Sequence, residues 1–153
     1  MDLEKIIREY ITKTVHMSLS TCVGNKPWTS EVHFAYDDHL NLYFMSLLSR
    51  RHSQEIAQNS MVSGNIIKQH QPGESPHGIY FEGQASLLES DDDRQQAFEF
   101  MSEQQGITTQ DLEDAENPDK HQFYKISVKN WYAFGKFGAD SNMKHKLEWN
   151  SGI

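Results

Sequence analysis

The residues most able to do chemistry in this chain are two adjacent arginines in an acidic protein. Arg50 and Arg51 follow Ser49 directly, and the run from Ser49 to Ile56 has the composition of a helix start, with Ser49 as its expected N-cap. At such a start, free N–H groups, the positive end of the helix dipole and the guanidinium forks all favour a phosphate. The competing reading is a pair of solvated charges, which a helix tolerates at this end at a small cost. Just upstream, Trp28 to Tyr36 alternates in the manner of a strand. Thr29, Glu31, His33 and Ala35 fall on one face, and Trp28, Ser30, Val32, Phe34 and Tyr36 on the other. Backbone and polar side chains along such a strand can line a flat ring.

Other chemistry is largely absent from the sequence. There is no GxSxG, no GxxxxGK[ST], no GxGxxG opening a helix and no HExxH. The single cysteine, Cys22, has no disulfide partner within the chain and sits among small residues, as a half-buried thiol does. The eight histidines, at 16, 33, 39, 52, 70, 77, 121 and 145, lack the i, i+4 or close-strand pairing of a metal site, so no metal is expected.

The elements that must position these residues follow from periodicity. Leu3, Ile6, Ile7, Tyr10 and Ile11 predict an amphipathic helix over the first dozen residues. From Val15 the period becomes two, and Gly24-Asn25-Lys26-Pro27 turns this strand into the next. Asp37-Asp38-His39 closes a second hairpin onto Leu40 to Ser46. Met61 to Lys68 reads as a weaker strand with a bulge at Gly64, and Gly78 to Glu89 as a long strand interrupted at Gly83. Ser90 with Asp91-Asp92-Asp93 starts another helix, Thr109 to Ala115 a further short one, and Gln122 to Phe134 returns to strand composition. Residues 135–153 read as a loop with a terminal helix. Six antiparallel strands with inserted helices predict an α+β barrel or open sheet.

Length and charge narrow the partners. At 153 residues one domain spanning 1–153 is expected, with a lean core drawn from a hydrophobic fraction of 37%. The net charge of −8 disfavours nucleic acid and anionic membranes as partners. The N-terminal residues alternate charged and apolar, and no later run approaches a membrane span, so a soluble, unprocessed, cytoplasmic protein is expected.

The succession GNKPWTSEVHFAYDDHLNLYFMSLLSRRHSQEIAQNSMVSGNI resembles the FMN-binding split barrel of the pyridoxamine-phosphate-oxidase-like superfamily, and GIYFEGQASLLE resembles its strand with a central glycine. The resemblance covers Thr14 to about Val128. It implies a six-stranded antiparallel split β-barrel of Greek-key type with peripheral helices. It also implies FMN as cofactor, with deazaflavin or haem as less favoured alternatives. Carried over by position, Thr29, Ser30, Glu31, Val32, His33 and Phe34 would lie along the isoalloxazine and ribityl chain, and Met45 and Ser46 would contact the flavin from the third strand. Arg50 and Arg51, beside Ser49, would match the Arg-Lys pair that holds the phosphate; Arg in place of Lys exchanges a point donor for a planar fork.

The sequence departs from the vitamin oxidases in three places. Thr29 stands where they have an Arg, and Gly78, beside His77, where they have a cofactor-contacting Gln. WYAFGKFGADSNMKHKLEW replaces their C-terminal substrate-phosphate motif. Pyridoxamine-phosphate oxidation itself is therefore not expected. Phe134-Gly135-Lys136 is similar to small split-barrel proteins whose C-terminal region approaches the flavin of a partner subunit, which makes Trp131 and Lys136 candidates for that contact. A small barrel has little interior room for a three-ring cofactor, so the expected assembly is a homodimer with cofactor at its interface. The implied function is an FMN-dependent, NAD(P)H-linked oxidoreductase acting on a small molecule. The alternative is a non-catalytic flavin- or haem-binding module in storage, sensing or stress.

Overall fold

Apolar residues at three- and four-residue spacing fold the first segment into α1 (Leu3–Ile11), which buries Ile7, Tyr10 and Ile11. Asp2 caps it, its carboxylate accepting the Lys5 N–H. The computed structural model describes residues 2–137 and 144–150. The alternating run that follows forms β1 (His16–Val23), with Met17, Leu19 and Thr21 turned inward, and Gly24, at φ +63°, turns it into β2 (Lys26–His33). The expected strand to Tyr36 breaks at Phe34, which is buried, and resumes as β3 (Ala35–Tyr36). The Asp37 carboxylate organises the next turn by accepting the His39 and Asn41 N–H groups. Leu40 takes a left-handed φ of 58° there, so β4 (Leu42–Ser46) starts two residues later than expected.

Beyond β4 come α2 (Arg51–Gln58), β5 (Met61–Ile66), β6 (Gly78–Leu87), α3 (Asp91–Gln105), α4 (Thr109–Asp114), β7 (Gln122–Phe134) and β8 (Lys144–Glu148). All pairings are antiparallel, in the order β2-β1-β5-β6-β7-β4-β3 with β8 added to β7. The result is an α+β split half-barrel with eight strands among the described residues, two more than expected. One extra strand is the short β3. The other replaces the terminal helix: β7 is 13 residues long, and β4 covers one of its edges only from Gln122 to Ile126. β8 takes the same edge from Asn130 to Phe134. The rest of the C-terminal segment, 138–143 and 151–153, lies outside the described residues.

The interruption at Gly83, expected as a bulge or a close backbone approach, is both: the register shifts between Glu82 and Gly83, and a Cβ at Gly83 would collide with the Ser127 carbonyl. The bulge expected at Gly64 is not present, since β5 stays in register with β6 from Met61 to Ile66. Glycine is required at 64 for a different reason: a Cβ would collide with the Ser18 carbonyl and the Phe81 ring.

β4 is buried on both faces, which explains why LNLYFMS does not alternate. Leu42 and Phe44 join the main core with Leu19, Phe81, Ile126 and Trp131, while Tyr43 joins a second cluster beneath α3 with Ala97, Met101 and Phe123. Each fully buried large apolar side chain contributes about 1.5–3 kcal/mol of transfer free energy. With both clusters anchored on β4 and β7, the ends of these strands are held firmly where the candidate site lies.

Candidate functional site

A cleft of about 430 Å³ opens where the end of β2 approaches the end of β4. Glu31, Val32 and His33 form one wall, and Met45, Ser46 and Leu47 form the floor as β4 runs toward α2. Arg50 and His52 stand at the helix start, and Met101, Gln105, Ile107 and His121 close the far side from α3 and the segment before β7. This size falls within the ordinary range of small-molecule sites, about 300–1,000 Å³.

The helix start differs from expectation by one residue. Arg50, not Ser49, occupies the N-cap position in extended conformation, and no side chain caps the helix. The first turn of α2 also carries no acidic residue. The positive end of the helix therefore meets neither a capping oxygen nor a carboxylate of its own first turn.

The two arginines are used differently. Arg51 donates through Nε to Glu55 at 2.9 Å, and its guanidinium lies over the Trp28 ring at 4.3 Å. Glu55 also accepts the Thr21 hydroxyl at 2.7 Å, and these two bonds hold its carboxyl below the ordinary range. Arg50 has no ion-pair partner among the described residues and lies exposed on the cleft.

His52 ties the floor to the wall. Its Nε2 lies 2.7 Å from the Ser46 hydroxyl and its Nδ1 3.2 Å from the Ser30 hydroxyl, while Ser53 donates to Ser46 at 3.1 Å. The ring is buried, and that burial, with the Arg50 charge nearby, lowers its pKa. A neutral imidazole donates from one nitrogen and accepts at the other, so it can bond both serines at once. One buried side chain thus joins β2, β4 and α2.

Of the residues singled out from the sequence, Glu31, Val32, His33, Met45, Ser46 and Arg50 meet in the cleft. Ser30 reaches it through His52. Thr29 points to the other face of the sheet, where it pairs with Ser20, and Glu31 also bonds His16 and Ser18 there. Phe34 and Trp131 are core residues, at 2% and 0% exposure. Ser49 and Arg51 are exposed beside the cleft without lining it, and Lys136 is exposed past the end of β7. Cys22 lies away from the cleft, its thiol 3.3 Å from the Gly24 carbonyl. Sequence reasoning missed Leu47, His52 and the far wall. For His52 the available signal was its place one helical residue after the arginine pair, opposite two serines on predicted strands.

Comparison with known proteins agrees with this architecture. The chain is 28% identical over 91 residues to UPF0306 protein plu4501 of Photorhabdus laumondii, a match covering 59% of this chain. It spans 64% of that relative, less than two thirds of its length. Among solved structures it is similar to General Stress Protein 26 of Bacillus anthracis, with TM-score 0.67, 20% identity, and coverage of 97% of this chain and 99% of that one. It is also similar to a FAD-binding protein of Mesorhizobium loti, with TM-score 0.64, 18% identity, and coverage of 87% and 93%. At these identities the structural likenesses establish the fold. A family model described as pyridoxamine 5'-phosphate oxidase matches residues 3–135, nearly the whole chain, and the protein belongs to that family.

Proposed function

We propose that the cleft binds FMN and that the protein is a homodimeric, NAD(P)H-linked flavin oxidoreductase acting on a small molecule. The observation that carries this reading is Arg50, a guanidinium with no ion-pair partner among the described residues, beside the uncapped start of α2 on a cleft walled by Glu31–His33 and Met45–Ser46. An unpaired fork next to free backbone N–H groups is a donor set suited to a phosphate dianion. When bound, the flavin would supply the redox chemistry. The chain's own residues would do the rest. Arg50 and the first turn of α2 would hold the phosphate, and His52 would keep Ser46 and Ser30 in place. Glu31 and His33, both exposed at the rim, would set the charge near the ring. The likeness to a FAD-binding protein of the same fold supports a flavin.

The open cleft supports a second copy as its cover, with Lys136 as the C-terminal residue available to reach across; Trp131, being buried, is not available. The experiment is a titration of purified protein with FMN, followed by desalting, absorption spectroscopy and gel filtration. The expected result is a retained flavin band, a dimeric elution volume, and bleaching by NADH or NADPH. Absence of a retained band would overturn the reading. A Soret band in freshly purified protein would transfer it to haem, and a retained flavin that neither nicotinamide reduces would make the protein a binding module.

A further inference from the structure

Two consecutive glutamines end α3 beside the far wall of the cleft, and they are used differently. Gln104 is saturated by one residue of β3: its Nε2 donates to the Tyr36 carbonyl at 2.7 Å, and its Oε1 accepts the Tyr36 N–H at 3.0 Å. Gln105, which lines the cleft, donates from Nε2 to the Phe34 carbonyl at 2.6 Å and to the Val15 carbonyl at 3.0 Å. Carbonyl oxygens only accept, so these two contacts fix which end of the amide is nitrogen and which is oxygen. The Gln105 Oε1 has no hydrogen-bond partner among the described residues. The buried side-chain polar atoms without a partner there are Trp131 Nε1 and His145 Nε2, so the Gln105 oxygen is open to solvent.

Such an oxygen suits recognition. Ordering a long, flexible side chain on binding works against affinity, and here two main-chain carbonyls have ordered it beforehand. Met101 and Ile107, on the same wall, are apolar, so a ligand N–H that meets them finds its acceptor in Gln105. The contacts along β2 also give the ligand a length. His52, two residues after Arg50, bonds Ser30, whereas Gln105 is fixed on Phe34, four residues further along the chain. At about 3.3 Å per strand residue, these two marks are about 13 Å apart. The cleft thus has a guanidinium near one end and a fixed amide oxygen near the other.

We propose that Gln105 Oε1 accepts a hydrogen bond from a ring imide N–H of the ligand in the cleft, and so selects a molecule with an anionic group at one end and an imide at the other. The inference rests on the reading of the cleft as an FMN site. In FMN the phosphate and the N3–H of the pyrimidine ring are separated by the ribityl chain and the central ring, an arrangement that Arg50 and Gln105 complement. The competing role for Gln105 is a clamp alone, which would fix the end of α3 to β1 and β2 without discriminating between ligands. The two roles differ in what they predict for a flavin that lacks the imide hydrogen.

The test titrates full-length protein, wild type and variants, with FMN and with N3-methyl-FMN, and reads Kd from the quenching of flavin fluorescence. The wild type should bind the methylated flavin about 3- to 10-fold more weakly, the worth of one hydrogen bond between uncharged groups. Gln105→Ala should weaken FMN by a similar factor and bring the two flavins within about twofold of each other, the margin within which independent changes add. Should Gln105→Ala fail to fold, Gln105→Met, of similar length and without an amide oxygen, takes its place. Gln104→Ala is the control: it loosens the same end of α3, but Gln104 does not line the cleft, so the wild-type ratio should be kept. Equal affinity of the wild type for both flavins, an unchanged ratio in the Gln105 variant, or loss of the ratio in Gln104→Ala would each overturn the proposal and leave FMN binding standing. A wild type that binds neither flavin would overturn the reading of the cleft, and this inference with it.

Discussion

Replacing Arg50 with alanine should weaken FMN and spare riboflavin. A hydrogen bond to a charged group contributes about 1.5–3 kcal/mol, which corresponds to about 10- to 150-fold in Kd. Arg50 is exposed, so screening by water and salt places the expected loss near the lower end, about 10- to 30-fold at 0.1 M salt, and smaller at higher ionic strength. Arg51→Ala is the internal comparison. Its guanidinium is already engaged by Glu55 at 2.9 Å and Trp28 at 4.3 Å, so its removal should cost fold stability about 0–1 kcal/mol and change FMN affinity less than about threefold. Quenching of flavin fluorescence on titration reads all four combinations of variant and ligand. Riboflavin lacks the phosphate, so wild type and Arg50→Ala should bind it alike. An equal loss of riboflavin binding in Arg50→Ala, or a loss of FMN binding in Arg51→Ala as large as in Arg50→Ala, would refute the assignment of phosphate to Arg50.

Three further outcomes follow from the packing. His52 has a lowered pKa in the folded protein, so on acidification the unfolded chain takes up its proton first. The stability that neutral His52 contributes is full above its unfolded value of about 6.5 and is lost as pH falls through the folded value. Denaturant melts across this interval should show that slope in the wild type and a shallower one in His52→Asn. Gly64→Ala should destabilise the protein by about 1–3 kcal/mol, because the added methyl meets the Ser18 carbonyl and the Phe81 ring; a melting curve equal to wild type would show that the sheet relaxes around it. Leu19→Ala, at a site of 0% exposure, should cost about 2–5 kcal/mol and lower the melting temperature by about 5–15 °C in a calorimetric scan.

The parts of the fold legible in the sequence are those fixed by nearest-neighbour pattern. Met17, Leu19 and Thr21 alternate with Ser18 and Ser20, so β1 and its inward face could be read directly, and the Asp91-Asp92-Asp93 run marked the start of α3. β8 was not legible. Lys144 to Glu148 carries one apolar residue, Leu147, and what makes it a strand is the vacant edge of β7 beyond Ile126, a tertiary fact. The candidate site divides in the same way. The near wall and floor come from one segment, 31–50, and all but Leu47 were readable, whereas the far wall comes from Met101 to His121 and is joined to them by α3 packing against β4, by Gln105 donating to the Phe34 carbonyl and by the pairing of Gln122 with Ser46. Trp131 was misplaced because an aromatic near the end of a strand carries no mark of which face it occupies; its register opposite Phe81 turns it into the core.

The half-barrel remains unzipped between β2 and β4. These strands come close at the cleft, yet among the described residues each is bonded to a different neighbour, β2 to β1 alone and β4 to β3 and β7. A strand bonded on one side only leaves every second pair of its N–H and C=O groups pointing away from its partner. Only the last residues of β2, Glu31 to His33, reach the cleft, so it is there that such unpaired groups border it. A planar heterocycle with its own donors and acceptors could dock there as though it were one more rung of the ladder. Recognition of that kind belongs to the main chain. It would survive replacement of the side chains of Glu31, Val32 or His33, and a proline at Glu31 or His33, which removes an outward donor, would disturb it far more than an alanine.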